Sequence, residues 1–341
     1  MIGPGRPCFI AAEIGINHNG DLDLAHRTID AARRAGADAV KFQNYRTEDF
    51  VRDRSLTYTY RSGGREVTEA QYDLFKRCEL DRDALAALFR HCRDIGLIPF
   101  TTPTSEAGIA DAQAAGAALL KNGSDYLTHL PLIRAMARSG ATTILSTGMA
   151  TLAEIDDAVR AFRGAGGRSL VLLHCVSAYP APPASVNLRK IPALAAAFDC
   201  PVGFSDHTEG IVAAAAAVAL GAVMVEKHFT LDRALPGPDH WFSSDPAEFA
   251  ELVAAIRTAE AALGQARLGP CPEEAEMRGL ARLSCVAARD LPCGHVLGSD
   301  DIAFARPGCG LPPKGADWLR ERRLARNVAA GHVFASADFA S

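Results

Sequence analysis

Short apolar runs recur along the first two-thirds of the chain, at 8–14, 38–43, 97–102, 117–122, 142–147, 169–175, 200–205 and 222–228. Turn-forming residues bound each run, as expected of strands. Between the runs, apolar positions spaced three and four apart mark helices over 22–36, 81–95, 106–115, 130–139, 151–164, 188–198 and 210–220, and 246–263 follows the last run. Strand and helix therefore alternate eight times. Strands that are apolar nearly throughout are covered by helices in a parallel sheet. Eight such units over roughly 250 residues are the count for a closed (β/α)₈ barrel, an α/β fold. An open, doubly wound sheet is the competing architecture, because local periodicity carries no information on whether the first and last strands meet.

The barrel assignment covers residues 1–264. The stretch QARLGPCPEEAEMRG, with two prolines and a cluster of acids, reads as the start of a linker over 265–281, and a second unit covers 282–341. Within that unit ARDLPCGHVLGSDDI (288–302) aligns with ARNVAAGHVFASADF (325–339) at a constant offset of 37 residues. Such a repeat predicts a small, pseudo-symmetric, β-rich module of two hairpin-like halves.

Composition narrows the partners. The chain has 341 residues, 48% of them hydrophobic, with a net charge of −4 and no stripe of Lys or Arg interleaved with aromatics, so nucleic acid is excluded as an expected partner. No apolar run is long enough to span a bilayer, and the start MIGPGRPCFIAAEIG lacks the pattern of a signal peptide, which predicts a cytoplasmic protein. The nine cysteines include no CxxC, and Cys8, Cys175 and Cys200 sit in apolar runs, which predicts reduced thiols and no zinc knuckle.

In a (β/α)₈ barrel the chemistry sits at the C-terminal strand ends, and there polar residues break the apolar runs. The first run ends in Glu13 with Asn17, His18 and Asn19 beyond; the second ends in Lys41-Phe42-Gln43, the third in Thr101-Thr102 and the fourth in Lys121-Asn122-Gly123-Ser124. The fifth ends in Ser146-Thr147-Gly148, the sixth carries His174 with Ser177 and Tyr179 beyond, the seventh ends in Ser205-Asp206-His207, and the eighth carries Glu226 and His228. Singly, a Ser or Thr after a strand is a helix cap and a lone His a structural residue. Their convergence on one rim points to a site.

Lys41 and Lys121 would be costly to desolvate without anionic partners, which points to a small, strongly negative ligand. Hydroxyls of Thr102, Ser124, Ser146 and Ser205 could complete a phosphate and carboxylate cradle. His207 and His228 end adjacent strands. Two imidazoles with open positions suit a divalent ion such as manganese better than a closed zinc site. Glu226, two residues before His228, shares its face of the strand.

The stretches AEIGINHNGDL (12–22), AGADAVKFQ (35–43), TTPTSEA (101–107), KNGSDYLTHLPLI (121–133), STGMATLAEI (146–155), LLHCVSAYPAP (172–182), VGFSDHTEG (202–210) and EKHFTLDRALPGPDHWFSSDP (226–246) resemble the N-acetylneuraminate synthase family, which includes sialic, legionaminic and pseudaminic acid synthases. The resemblance runs nearly the whole chain, and the C-terminal unit is similar to that family's antifreeze-like (SAF) domain. It implies a (β/α)₈ barrel in a domain-swapped homodimer, in which Arg306 contacts the sugar N-acyl group in the partner's site. It implies phosphoenolpyruvate binding by Lys41, Thr102, Lys121, Ser124, Ser146 and Ser205, and manganese (magnesium and cobalt being alternatives) on His207 and His228. Gln43, Tyr179, Asn187 and Asp239 match sugar-side positions, and Glu13 and Glu226 match active-site carboxylates.

The implied reaction joins carbon 3 of phosphoenolpyruvate to the aldehyde of an open-chain N-acylated amino sugar and releases phosphate by carbon–oxygen cleavage. The AEIGINHNG form resembles the sialic and legionaminic branch, so N-acetylmannosamine and 2,4-diacetamido-2,4,6-trideoxymannose are the expected substrates, with the loop 44–78 expected to choose between them. Three rivals stand beside this reading. They are a Schiff-base aldolase built on Lys121, a non-catalytic carbohydrate-binding or coat-polysaccharide protein, and a synthase making a 3-deoxy-ulosonate from a sugar phosphate.

Overall fold

The first and last strands of the series meet. In the computed structural model, which describes residues 2–339, strands β1 (Phe9–Gly15), β2 (Ala39–Asn44), β3 (Ile98–Pro103), β4 (Leu119–Asn122), β5 (Thr142–Ser146), β6 (Leu170–Cys175), β7 (Val202–Asp206) and β8 (Met224–His228) form one closed parallel barrel. The closing register places Ala11 opposite Glu226 and Glu13 opposite His228. The open doubly wound alternative is thereby eliminated.

Helices α1 (Leu22–Arg34), α2 (Arg82–Asp94), α3 (Glu106–Ala114), α4 (Leu130–Ser139), α5 (Leu152–Gly164), α6 (Lys190–Phe198), α7 (Val212–Ala219) and α8 (Pro246–Leu263) alternate with the strands. Their starts follow from side chains that accept orphan N–H groups: Asp21, Asp81, Ser105 and Asp245, and Thr151 in a capping box with Glu154. One apolar cluster fills the barrel interior, from Ala11, Ala39, Phe100, Leu119, Ile144, Val171, Leu173 and Met224. Gly203 on β7 belongs to this layer by necessity, since a Cβ there would stand 2.6 Å from the Met224 carbonyl and 2.7 Å from Leu173 Cδ2. The floor is thus dry and closed, and polar side chains are confined to the strand ends above it.

The loop after β2 is structured. A hairpin pairs Thr57–Ser62 with Arg65–Ala70 around Gly63-Gly64, and helix Gln71–Arg77 follows. Ser62 Oγ accepts from Gly237 N at 3.2 Å and the Arg61 guanidinium stands 5.4 Å from the Trp241 ring, so the hairpin leans on the loop after β8.

The contact pattern separates two compact units, Met1–Gly264 and Gln265–Ser341. The stretch read as a linker groups with the second, and its later part is ordered as a 3₁₀ turn, Pro272–Glu274, and a helix, Ala275–Ala281. Its prolines and acids include a helix start, with Glu274 Oε2 accepting from Cys271 N at 2.8 Å. In this unit Ser284–Ala287 pairs antiparallel with Ile302–Ala305, whereas the second half contributes single bridges such as Val286–Val333 and Leu291–Val328. The bridges follow the repeat: 37 residues on from Ala287–Ile302 stands Leu324–Phe339, and Val286–Val333 maps onto Val296–Arg323, so the described residues of the unit are pseudo-symmetric as expected.

The repeat also preserves a charge cluster. His295 Nε2 lies 2.8 Å from Asp301 Oδ2 and Arg289 2.7 Å from its Oδ1, and 37 residues on, His332 Nε2 lies 2.9 Å from Asp338 Oδ2 and Arg326 Nε 2.7 Å from its Oδ1. No described helix is long and apolar enough to cross a membrane.

Candidate active site

Above the apolar floor, residues of the barrel unit line a cavity of about 830 Å³. Of the residues expected at the site, Glu13, Lys41, Gln43, Thr102, Lys121, Ser124, Ser146, Tyr179, Ser205, His207, Glu226, His228 and Asp239 line it. Strand alternation explains the selection: Glu226 and His228 face inward on β8, Ser205 precedes the inward His207 at the end of β7, and Lys41 and Gln43 face inward on β2.

The same alternation corrects one strand end. His174 faces away from the cavity, with its Nε2 2.5 Å from the Val186 carbonyl, and Cys175 lines the cavity in its place. Asn17, His18 and Asn19 do not line it either; Asn17 Nδ2 donates to the Phe229 carbonyl and Asn19 Nδ2 to the Pro236 carbonyl, which ties the loop after β1 to the loop after β8. Asn187 is exposed and outside the cavity lining, at φ 51°, where Asn is among the few side chains that tolerate a left-handed backbone. Arg306 belongs to the second unit, where its Nε donates to the Ala281 carbonyl at 2.9 Å.

The centre of the cavity is a cluster of four buried charges. Lys41 Nζ lies 2.8 Å from Glu13 Oε1 and 3.9 Å from Glu226 Oε1, and Lys121 Nζ lies 2.5 Å from Glu226 Oε1. The lysines therefore have anionic partners within the chain, and their burial alone does not require a bound anion. Gln43 Nε2 and Ser205 Oγ add donors to Glu13 and Glu226 at 3.3 and 3.4 Å, and Lys41 Nζ also reaches Thr102 Oγ1 at 3.1 Å. Unused capacity remains: Glu13 Oε2, Glu226 Oε2 and Ser146 Oγ are buried without a hydrogen-bond partner. Buried polar atoms of this kind mark where a ligand or water belongs.

The two carboxyls are shifted in opposite directions. Burial raises the Glu13 carboxyl above the ordinary range, and Glu226 raises it further, against the pull of Lys41. Burial would raise Glu226 too, but Lys121 and Lys41 outweigh it and hold Glu226 ionised. Burial works against the Lys121 ammonium, yet Glu226 and Glu13 raise it overall. A Schiff-base nucleophile must present a neutral amine, so this arrangement weighs against the aldolase reading.

Beside this cluster, on the ends of β7 and β8, His207 and His228 stand with ring centroids 5.4 Å apart, and Tyr179 covers His207 at 4.2 Å. His207 Nδ1 donates to the Val176 carbonyl at 2.8 Å, so Nε2 is the nitrogen left for an ion, which would have to displace its proton, since burial lowers the imidazole but Cys175 raises it overall. His228 Nδ1 is buried with no hydrogen-bond partner and stands 3.7 Å from Asp239 Oδ2. Burial, followed by the charge of His207, holds His228 well below its ordinary value and therefore neutral. Two imidazoles on adjacent strand ends suit a divalent ion. No group of three or more His, Cys, Asp or Glu is arranged to hold a metal among the described residues, so the donor set fits an open two-histidine site and not a closed cage.

The lining also includes residues that strand-end reasoning missed. Tyr58, Gln71, Leu74 and Phe75 come from the hairpin and the helix that follows it, and Ile16, Asp125, Tyr126 and Met149 from loops. The hairpin had a local signal in TYTYRSGGREVTEA, where alternation flanks a Gly-Gly turn.

The NeuB family model matches residues 28–267 and the SAF domain model residues 284–340. The chain is 38% identical to the N,N'-diacetyllegionaminic acid synthase of Legionella pneumophila, over 96% of this chain and 94% of that protein. It is also 38% identical to the spore coat polysaccharide biosynthesis protein SpsE of Bacillus subtilis, over 93% of this chain and 89% of that one. Among solved structures, the N-acetylneuraminic acid synthetase of Leptospira borgpetersenii, in complex with citrate, superposes with a TM-score of 0.73 at 36% identity, covering 81% of this chain and 92% of the other. With the cavity and its charge cluster at the strand ends, these likenesses establish that the chain belongs to the NeuB family of sialic-acid-type synthases.

Proposed function

We propose that this protein condenses phosphoenolpyruvate with an open-chain N-acylated amino sugar, giving a nonulosonic acid and phosphate. The observation that carries the reading is the buried cluster of Glu13, Lys41, Lys121 and Glu226 in the cavity, with the imidazoles of His207 and His228 beside it on neighbouring strand ends. Phosphoenolpyruvate is a dense anion, and Lys41, Lys121, Thr102, Ser124, Ser146 and Ser205 offer it two cations and four hydroxyls.

A divalent ion such as manganese on His207 and His228 would supply Lewis acidity at the sugar aldehyde. Tyr179, Gln43 and Asp239 line the space left for the sugar. Carbon 3 of phosphoenolpyruvate bonds to the aldehyde carbon, water adds at carbon 2, and the resulting tetrahedral centre expels phosphate with its bridging oxygen. Glu13, held above the ordinary carboxylate range, is the group able to give up a proton near neutrality, while Glu226 stays ionised and balances the lysines. The environments thus divide two roles that the residue types leave open.

Similarity to a legionaminic acid synthase supports the manno-configured substrates, N-acetylmannosamine or 2,4-diacetamido-2,4,6-trideoxymannose. The swapped homodimer with Arg306 at the partner's site belongs to the same proposal; Arg306→Ala should then weaken sugar binding without altering turnover at saturation. The deciding experiment is phosphate release from phosphoenolpyruvate with manganese, offering each amino sugar and arabinose 5-phosphate separately. Release with an amino sugar alone supports the reading. Release only with arabinose 5-phosphate moves the chain to the 3-deoxy-ulosonate synthases, and release with none favours a binding role in coat polysaccharide formation.

A further inference from the structure

Lys227 lies between Glu226 and His228 on β8 but on the opposite face of the strand, outside the cavity lining and 2% exposed. Its ammonium reaches Asp206 Oδ2 at 2.9 Å, the Thr208 carbonyl at 2.5 Å and the Gly210 carbonyl at 3.0 Å. A lysine has three N–H donors, and all three are used. Asp206 Oδ1 in turn accepts from Thr208 N and from Thr208 Oγ1, each at 2.8 Å. One side chain of β8 therefore gathers the whole segment Asp206–Gly210, which leaves the end of β7.

His207 lies inside that segment. Its carbonyl accepts from Ala181 N at 2.8 Å, which links the segment to the loop carrying Tyr179. A fully buried ion pair adds little net stability over a well-packed apolar pair, and none of the Lys227 contacts touches the cavity. Their shared consequence is positional. The strand bearing His228 is tied directly to the turn bearing His207.

We propose that Lys227 is a positioning residue that sets the separation of His207 and His228, and through it the affinity of the two imidazoles for a divalent cation. The proposal rests on the two-histidine reading of the site. Residues that orient metal ligands from behind typically change affinity by about 10- to 100-fold when removed.

The test uses the full chain and four variants besides wild type, the fourth being His207→Ala. Lys227→Met keeps the side chain's length and removes its charge. Lys227→Met combined with Asp206→Leu removes both charges, so that stability recovers if the single variant unfolds. Val225→Ala, on the same buried face of β8, loosens the strand without touching the segment. Each is measured for melting temperature, for manganese(II) affinity by calorimetry, and for hydrogen exchange across 206–210 at equal distance below its melting temperature.

The expected result is a loss of manganese affinity of about 10- to 100-fold in both Lys227 variants, with faster exchange across 206–210 and neither change in Val225→Ala. Lys227 variants that match Val225→Ala in both respects overturn the proposal. His207→Ala separates the two levels. If it binds manganese as tightly as wild type, the two-histidine reading fails, and exchange across 206–210 alone decides whether Lys227 positions the segment.

Discussion

Lys121 Nζ and Glu226 Oε1 lie 2.5 Å apart, although the residues are 105 positions apart in the chain and stand on β4 and β8, opposite strands of the barrel. The contact crosses the barrel above its apolar floor. Both groups are nearly inaccessible to water, so each depends on the other for its charged state.

Removing one partner should therefore cost more than removing both. Lys121→Met is expected to destabilise the barrel by about 3–5 kcal/mol, because it strands a buried carboxylate. Lys121→Met combined with Glu226→Gln should recover much of that loss while phosphoenolpyruvate turnover stays abolished. Urea denaturation and phosphate release, measured on the same samples, check the pair.

Glu13 is raised by burial and by Glu226, so its ionisation should shape the pH profile above the ordinary carboxylate range. As an acid it must be protonated to act, and kcat should fall as pH rises through its raised value. Glu13→Gln should lower kcat by about 10²- to 10⁴-fold and remove that limb. A limb of unchanged position in the variant would assign it to another group.

Carbon–oxygen cleavage makes an isotopic prediction. With ¹⁸O in the bridging position of phosphoenolpyruvate, the label should leave in the inorganic phosphate. Mass spectrometry that finds it retained in the sugar acid would refute the cleavage mode. Chelation of divalent ions should stop the reaction without unfolding the chain, as circular dichroism would register, because the two imidazoles lie at a strand end and not in the core.

In the C-terminal unit the Gly298 N–H, then His295 and Arg289, hold the Asp301 carboxyl down to about 2, and Asp338 is lowered in the matching cluster against the opposing effect of burial. A folded-state value below the unfolded one contributes stability above the unfolded value, lost as pH falls through the folded one. Acid should therefore weaken this unit as pH drops from about 4 towards 2. Asp301→Asn should be less stable at neutral pH and flatter across that window, as thermal melts at several pH values would show.

Gly203→Ala offers a test of the barrel interior. Its Cβ would meet the Met224 carbonyl and Leu173 Cδ2 inside contact distance, and the expected cost is about 1–3 kcal/mol. A neutral result would mean that the floor can relax.

The order of eight strands and eight helices was legible in the chain, with helices read from 22, 106 and 151 starting within a residue of the observed ones, because both depend on residues within one turn or one pleat of each other. The polar strand ends were legible for the same reason, and with the family's motifs they named most of the cavity lining. Closure, and everything that follows from it, lay beyond local pattern. Whether His174 or Cys175 faces inward depends on the register of β6 between its neighbours, a single-residue choice. The 37-residue repeat was visible and is preserved in the bridges, Ala287–Ile302 being matched by Leu324–Phe339, whereas the Arg–His–Asp cluster it also preserves appears only when side chains meet in three dimensions. The pairing of Lys41 and Lys121 with Glu13 and Glu226, and the opposite shifts of the two carboxyls, arise only when the barrel brings four distant strand ends into one water-poor space, where charges act strongly over a few ångströms.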